Sequence, residues 1–185
     1  MSLILLGILN SQAAAAGGAG AYDLLETQVL TSDASSVTFT GLGSYTDYKH
    51  LQIRGVSQSS DLSSDSDLWL QFNGITTGYR FHELSGDGSS VSSYSSTFPV
   101  VGLNQRNYVN DAFSVHVIDV LDFASSSKNT TVRSFSGSEF QPFGKKIGLY
   151  SMFRNYLNAI TSLTITTGSY QLRAGSRFSL YGIKG

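Results

Sequence analysis

HLQIRGV, His50 to Val56, sets Leu51, Ile53 and Gly55 against His50, Gln52 and Arg54. That is the period-two pattern of a strand with one face in a core and one in water. The same period recurs on both sides of it. SVTFT (Ser36 to Thr40) puts Val37 and Phe39 on one face, LWLQFN turns Leu68, Leu70 and Phe72 inward, and YRFHEL aligns Tyr79 with Phe81 and leaves Arg80 and His82 opposite. FSVHVIDVL (Phe113 to Leu121) is apolar on both faces, the pattern of a central strand covered on both sides, with Val117 expected in the core beside Leu70. TTVRSF, KIGLYSMF, ITSLTIT and the final RFSLYGIKG complete about nine strands. Gly, Ser, Asn and Asp clusters separate them: QSSDLSSDSD, NGITTG, SGDGSSVSSYSS, NQRNYVND, ASSSKN and TTGSY. No segment sustains a helical period and no internal repeat stands out, so the expected fold is all-β, an antiparallel β-sandwich or jelly roll over residues 22–185 with an extended N-terminal arm over 1–21.

The 185 residues suit one domain, with 12% aromatic and only 14% charged side chains against roughly 25% in an average soluble chain. A net charge of −1 offers no basic stripe for nucleic acid. The absence of Cys excludes disulfides and thiol chemistry, so stability must come from packing or oligomerisation.

The arm opens MSLILLGILNSQAAAAGGAG. It imitates a secretory signal but lacks the positive start, because no Lys or Arg precedes Lys49, and its apolar run is far short of the roughly 20 residues of a membrane span. The expectation is an arm docked on another protein or on its own oligomer through Leu3, Ile4, Leu5, Leu6, Ile8 and Leu9. Each could contribute roughly 1.5–3 kcal/mol when buried, against about 1–2 kcal/mol per residue for ordering backbone. One arm therefore binds weakly, and useful attachment needs several acting together.

Candidate chemistry is sparse. His50, His82 and His116 fall on different strands without the close spacing of a zinc site. Asp61, Asp65 and Asp67 in DLSSDSD offer carboxylates for calcium but lack the glycine and terminal glutamate of an EF-hand. No G-x-S-x-G elbow occurs. Glu83 with Asp87, or Asp119 with Asp122, could form a glycosidase pair, although Asp119 between apolar neighbours reads as a hydrogen-bonded structural carboxylate. Sugar stacking could fall to Trp69, Tyr79, Tyr94, Tyr108 and Tyr150, with Asp61, Asp65, Asp67 and Asp87 supplying hydrogen bonds. Asn129 in NTT matches a glycosylation sequon, which matters only in a secreted chain. The expectation is no enzyme, no cofactor and no metal.

YKHLQIRG (Tyr48 to Gly55), FNG followed by GYRFHELSGDGSS (Phe72 to Ser90), VIDVLDFASSSKNTTVRSFSG (Val117 to Gly137) and the ending FSLYGIKG resemble a family of virion-associated structural or fibre-like proteins of tailed phages, especially those of cyanobacteria and other aquatic bacteria. The resemblance is collinear from Tyr22 to Gly185. It implies a place on the virion, assembled in the host cytoplasm, and carries over no catalytic residues. The expected function is a capsid decoration or cement protein, a homotrimer docked on the major capsid protein or other virion proteins through its arm. The alternative is a tail or head fibre whose loops at 57–67 and 85–96 touch host surface glycans.

Overall fold

The computed structural model describes residues 21–63, 65–106, 112–140 and 144–185. The arm residues Leu3, Ile4, Leu5, Leu6, Ile8 and Leu9, and the sugar-stacking candidate Tyr108, lie outside the described residues.

Twelve strands follow one another: β1 (Tyr22–Val29), β2 (Ser36–Phe39), β3 (His50–Ser57), β4 (Ser66–Phe72), β5 (Tyr79–Gly86), β6 (Val91–Ser96), β7 (Val100–Asn104), β8 (Ser114–Val120), β9 (Thr131–Phe140), β10 (Gly144–Arg154), β11 (Leu163–Thr166) and β12 (Arg177–Ile183). The only helical element among the described residues is a 3-10 turn at Leu42–Ser44. All strand pairs are antiparallel. The larger sheet has the order β1-β12-β3-β8-β9-β10-β5-β6 and the smaller β2-β11-β4-β7.

Within that order sits a jelly roll. The quartet β1-β12-β3-β8 faces β2-β11-β4-β7, and the chain passes back and forth between the two. The hairpins β5–β6 and β9–β10 are insertions into this plan. They extend the larger sheet by four strands, β9-β10-β5-β6, beyond the eight that the jelly roll requires.

Alternation explains the core. Leu51 and Ile53 from β3, Leu68, Leu70 and Phe72 from β4, and Val37 and Phe39 from β2 are all buried at 2% exposure or less, each on the face the period-two pattern assigns. Gly55 is required where it stands, because a Cβ there would come within 2.5 Å of the Phe178 ring across the sheet. At the β4–β5 turn, Asn73 adopts φ 53° and fastens a distant loop. Its Oδ1 accepts the N–H groups of Thr161 and Ser162 and the Thr161 hydroxyl, while its Nδ2 donates to the Ala159 carbonyl.

Three strands depart from the sequence expectation. β6 falls inside the SGDGSSVSSYSS segment read as a break, because an edge strand lined with serines carries no apolar period. β7 is a short apolar run, and the alternation of β1 is interrupted by a register shift between Leu24 and Glu26. A further departure concerns β8: His116, Ile118 and Val120 are buried, but Val115 is 54% and Val117 36% exposed. Nothing among the described residues covers that outer face, so Val117 is not a core residue.

Candidate functional site

Several of the described residues that could do chemistry hold structural hydrogen bonds. His116 lies fully buried between the sheets. The Ser57 hydroxyl donates to Asn104 Oδ1 at 2.7 Å. Having spent its proton there, it accepts from His116 Nε2, 3.0 Å away, which leaves His116 Nδ1 to accept from the Ser136 hydroxyl at 3.0 Å. Both ring nitrogens are satisfied only in the neutral form, and burial pushes His116 down to about 3. Gly102 lies against the ring, where a Cβ would stand 2.8 Å from Nδ1 and 3.0 Å from Ser136 Oγ. The Ser–His contact resembles a nucleophile and base, but it is sealed from solvent and its third member is a serine.

The other two histidines are elsewhere. His50, at the start of β3, accepts the Asp122 N–H through Nδ1 at 2.9 Å, and His82 is exposed on β5. Among the described residues no three His, Asp or Glu side chains gather to hold a metal.

Most of the candidate carboxylates are likewise engaged. Asp61 accepts from the Ser63 N–H and hydroxyl, and Asp65 accepts the Arg106 N–H at 3.0 Å. Asp67 is not in that loop but within β4, where desolvation first and the Glu83 charge second push its carboxyl up. Glu83 pairs with Lys146. Asp87 closes the β5–β6 turn by accepting the N–H groups of Ser89 and Ser90 and the Ser89 hydroxyl, which hold it down at about 2. Asp119 accepts from Gln52 at 2.7 Å and pairs with Arg133 at 2.8 Å, the hydrogen-bonded structural carboxylate expected of it. Asp122 pairs with Lys128 at 3.2 Å.

The stacking aromatics do not converge. Tyr79 and Tyr150 are buried. The Tyr79 hydroxyl is spent on the Phe72 N–H and the Ile75 carbonyl, and desolvation pushes both phenols up. Trp69, on β4, lies against Phe98 with ring centroids 5.5 Å apart and planes at 14°. Tyr94, on β6 of the other sheet, is 60% exposed and meets Phe81 edge-on. The hollow that Asp87 borders is lined by none of Asp61, Asp65, Asp67, Trp69 or Tyr94.

What the fold does assemble is a surface that the sequence reading did not name. Cross-strand register places Val117, Phe135, Leu149 and Leu84 in one row across β8, β9, β10 and β5. The row beside it is Val115, Gly137, Ile147, Gly86 and, on β6, Val91. All seven large side chains are exposed, from 36% at Val117 to 78% at Val91. The glycines leave hollows between them. One of about 520 Å³ lies over Gly86, Gly137, Val115 and Ile147, and another of about 320 Å³ is walled by Leu84, Val91, Phe135, Ile147 and Leu149. The next row is polar, with Asp119, Arg133, Ser151, His82 and Ser95. Toward β1 the same face is mixed, with Arg54 lying over the rings of Tyr22 and Tyr181 and with Leu24, Val29 and Val56 exposed. The signal for this surface was present in KIGLYSMF and FSVHVIDVL, whose apolar residues occupy both phases of the alternation.

Among the described residues no helix is long and apolar enough to cross a membrane. No protein-family model matches the chain, and no curated protein and no solved structure matches it.

Proposed function

We propose that the protein is a structural component of a phage virion, a capsid decoration protein whose jelly-roll body sits on the shell and whose N-terminal arm docks through Leu3 to Leu9 between or under shell subunits. The observation that carries this reading is a division within the body. His116 and Asp119 are committed to internal hydrogen bonds, while the surface the body offers outward includes a broad apolar sheet face, the property of an assembly part. Jelly rolls recur in capsid and lectin domains alike; the resemblance read in the sequence from Tyr22 to Gly185, which no family model or curated relative supports, implies the former setting. The uncharged arm continues from β1, an edge strand on which Tyr22 and Leu24 are exposed, so the chain leaves the body at its rim.

The test is deletion of Ser2 to Gly20. The truncated body should fold with an unchanged melting midpoint and fail to occupy purified shells that the full chain decorates. Normal decoration by the truncated body would refute arm docking. Retained binding to host cells or isolated surface glycans, with no shell occupancy by either form, would instead favour a fibre tip.

A further inference from the structure

We propose that the apolar outer face of β8, β9, β10, β5 and β6 is a self-association surface, and that its occupant is the same face of a second copy, packed sheet against sheet about a two-fold axis.

An antiparallel sheet with one free face ordinarily carries polar side chains on that face. Here the half of the sheet around Gln52, Arg54 and Tyr181 is mixed, with Leu24, Val29 and Val56 exposed among polar residues, whereas the outer face from β8 to β6 carries a contiguous apolar block. Roughly half of each of seven large apolar side chains is exposed, which amounts to on the order of 600 Å² of contiguous surface, the upper end for a soluble monomer. With its rim this approaches the roughly 800 Å² per partner of a stable interface.

Two features favour a second copy over another occupant. The first is shape. Knobs and hollows alternate along single strands, so that Phe135 stands two residues from Gly137, and Ile147 faces Gly86. A two-fold axis running across the strands between the two apolar rows lays the Phe135 row of each copy over the glycine row of the other, filling the same hollow twice. The second is anatomy, an apolar centre with the polar row of Asp119, Arg133, Ser151 and His82 along one border. The dimer also holds two arms together, which the weak binding of one arm calls for, although the dimer does not depend on the virion reading.

The experiment is sedimentation and light scattering on the full chain and four variants at micromolar concentration, with thermal melting of each. The full chain should be a dimer. Leu149→Arg and Val117→Arg, both substitutions at exposed positions, should be monomers with near-native melting. Leu62→Arg, at an equally exposed loop position away from the face, and the chain lacking Ser2 to Gly20 should stay dimeric. A monomeric full chain would overturn the proposal, as would a dimer that survives both arginines. Dissociation on removing the arm would show that the arm is the occupant, and a trimer would exclude a face that meets its own copy. Should Leu149→Arg fail to fold, Val117→Arg decides.

Discussion

His116 makes the stability of this protein depend on pH from about 6.5 downward, beginning above the range in which ordinary carboxylates titrate. An unfolded histidine titrates near 6.5, whereas burial between the two sheets pushes the folded one down to about 3. As pH falls below 6.5 the unfolded chain takes up a proton that the folded chain refuses, so stability is complete above about 6.5 and drains away down to about 3. Each unit of separation is worth about 1.4 kcal/mol, which gives a loss of about 2–3 kcal/mol at about pH 4.5 and about 5 kcal/mol once the pH is below both values. Carboxylates held down in the fold, such as Asp87 at about 2 and Asp23 beside Lys184 and Tyr48, lose their share as pH falls from about 4 through their folded values, and Asp67, pushed up, acts in the opposite sense, so the interval down to about pH 4.5 is where His116 is best isolated. Urea denaturation at neutral pH and at about pH 4.5 measures the loss, and His116→Gln isolates it. The variant is weaker at neutral pH because the Ser57 and Ser136 hydroxyls lose a matched partner, but its stability should change about 2–3 kcal/mol less over the interval. Equal losses in the two proteins would refute the assignment of a neutral, sealed imidazole.

Further outcomes follow from packing. Gly102→Ala should cost about 1–3 kcal/mol, read by chemical denaturation, because its Cβ meets His116 Nδ1 at 2.8 Å and neither group can withdraw. Leu70→Ala, at a fully buried position, should cost about 2–5 kcal/mol. Val117→Ala should lower the melting midpoint far less, since that side chain stands on the open face; equal effects would contradict the orientation of β8. Asn73→Ala should cost roughly 2 kcal/mol or more through four lost side-chain hydrogen bonds, with Asn73→Gly recovering only the part due to positive φ.

The parts of the fold that sequence made legible are those where one face is buried and the other wet. Leu51 with Ile53, Leu68 with Leu70, and Val37 with Phe39 all point where their alternation says. The serine-lined edge strand Val91–Ser96 escaped because an edge asks little of its side chains, and the interrupted register of β1 hid its period. The apolar face was misjudged for a different reason. Residues such as Val117 and Leu149 announce that both sides of a strand avoid water, but the pattern cannot say whether the second side is covered by the same chain. The two hairpins that widen the sheet past the smaller one are a topological fact, invisible in local periodicity. The described candidate carboxylates and aromatics lie apart because they were chosen by residue type, and the strands that carry Trp69 and Tyr94 belong to different sheets.

The reading of the protein as a shell decoration stands or falls on its number of copies per particle. Quantitative mass spectrometry of purified virions, with the major capsid protein as internal reference, measures it directly. A decoration protein should be present in hundreds of copies, in a fixed ratio to the shell subunit, whereas a few to a few tens, or none, would contradict the account.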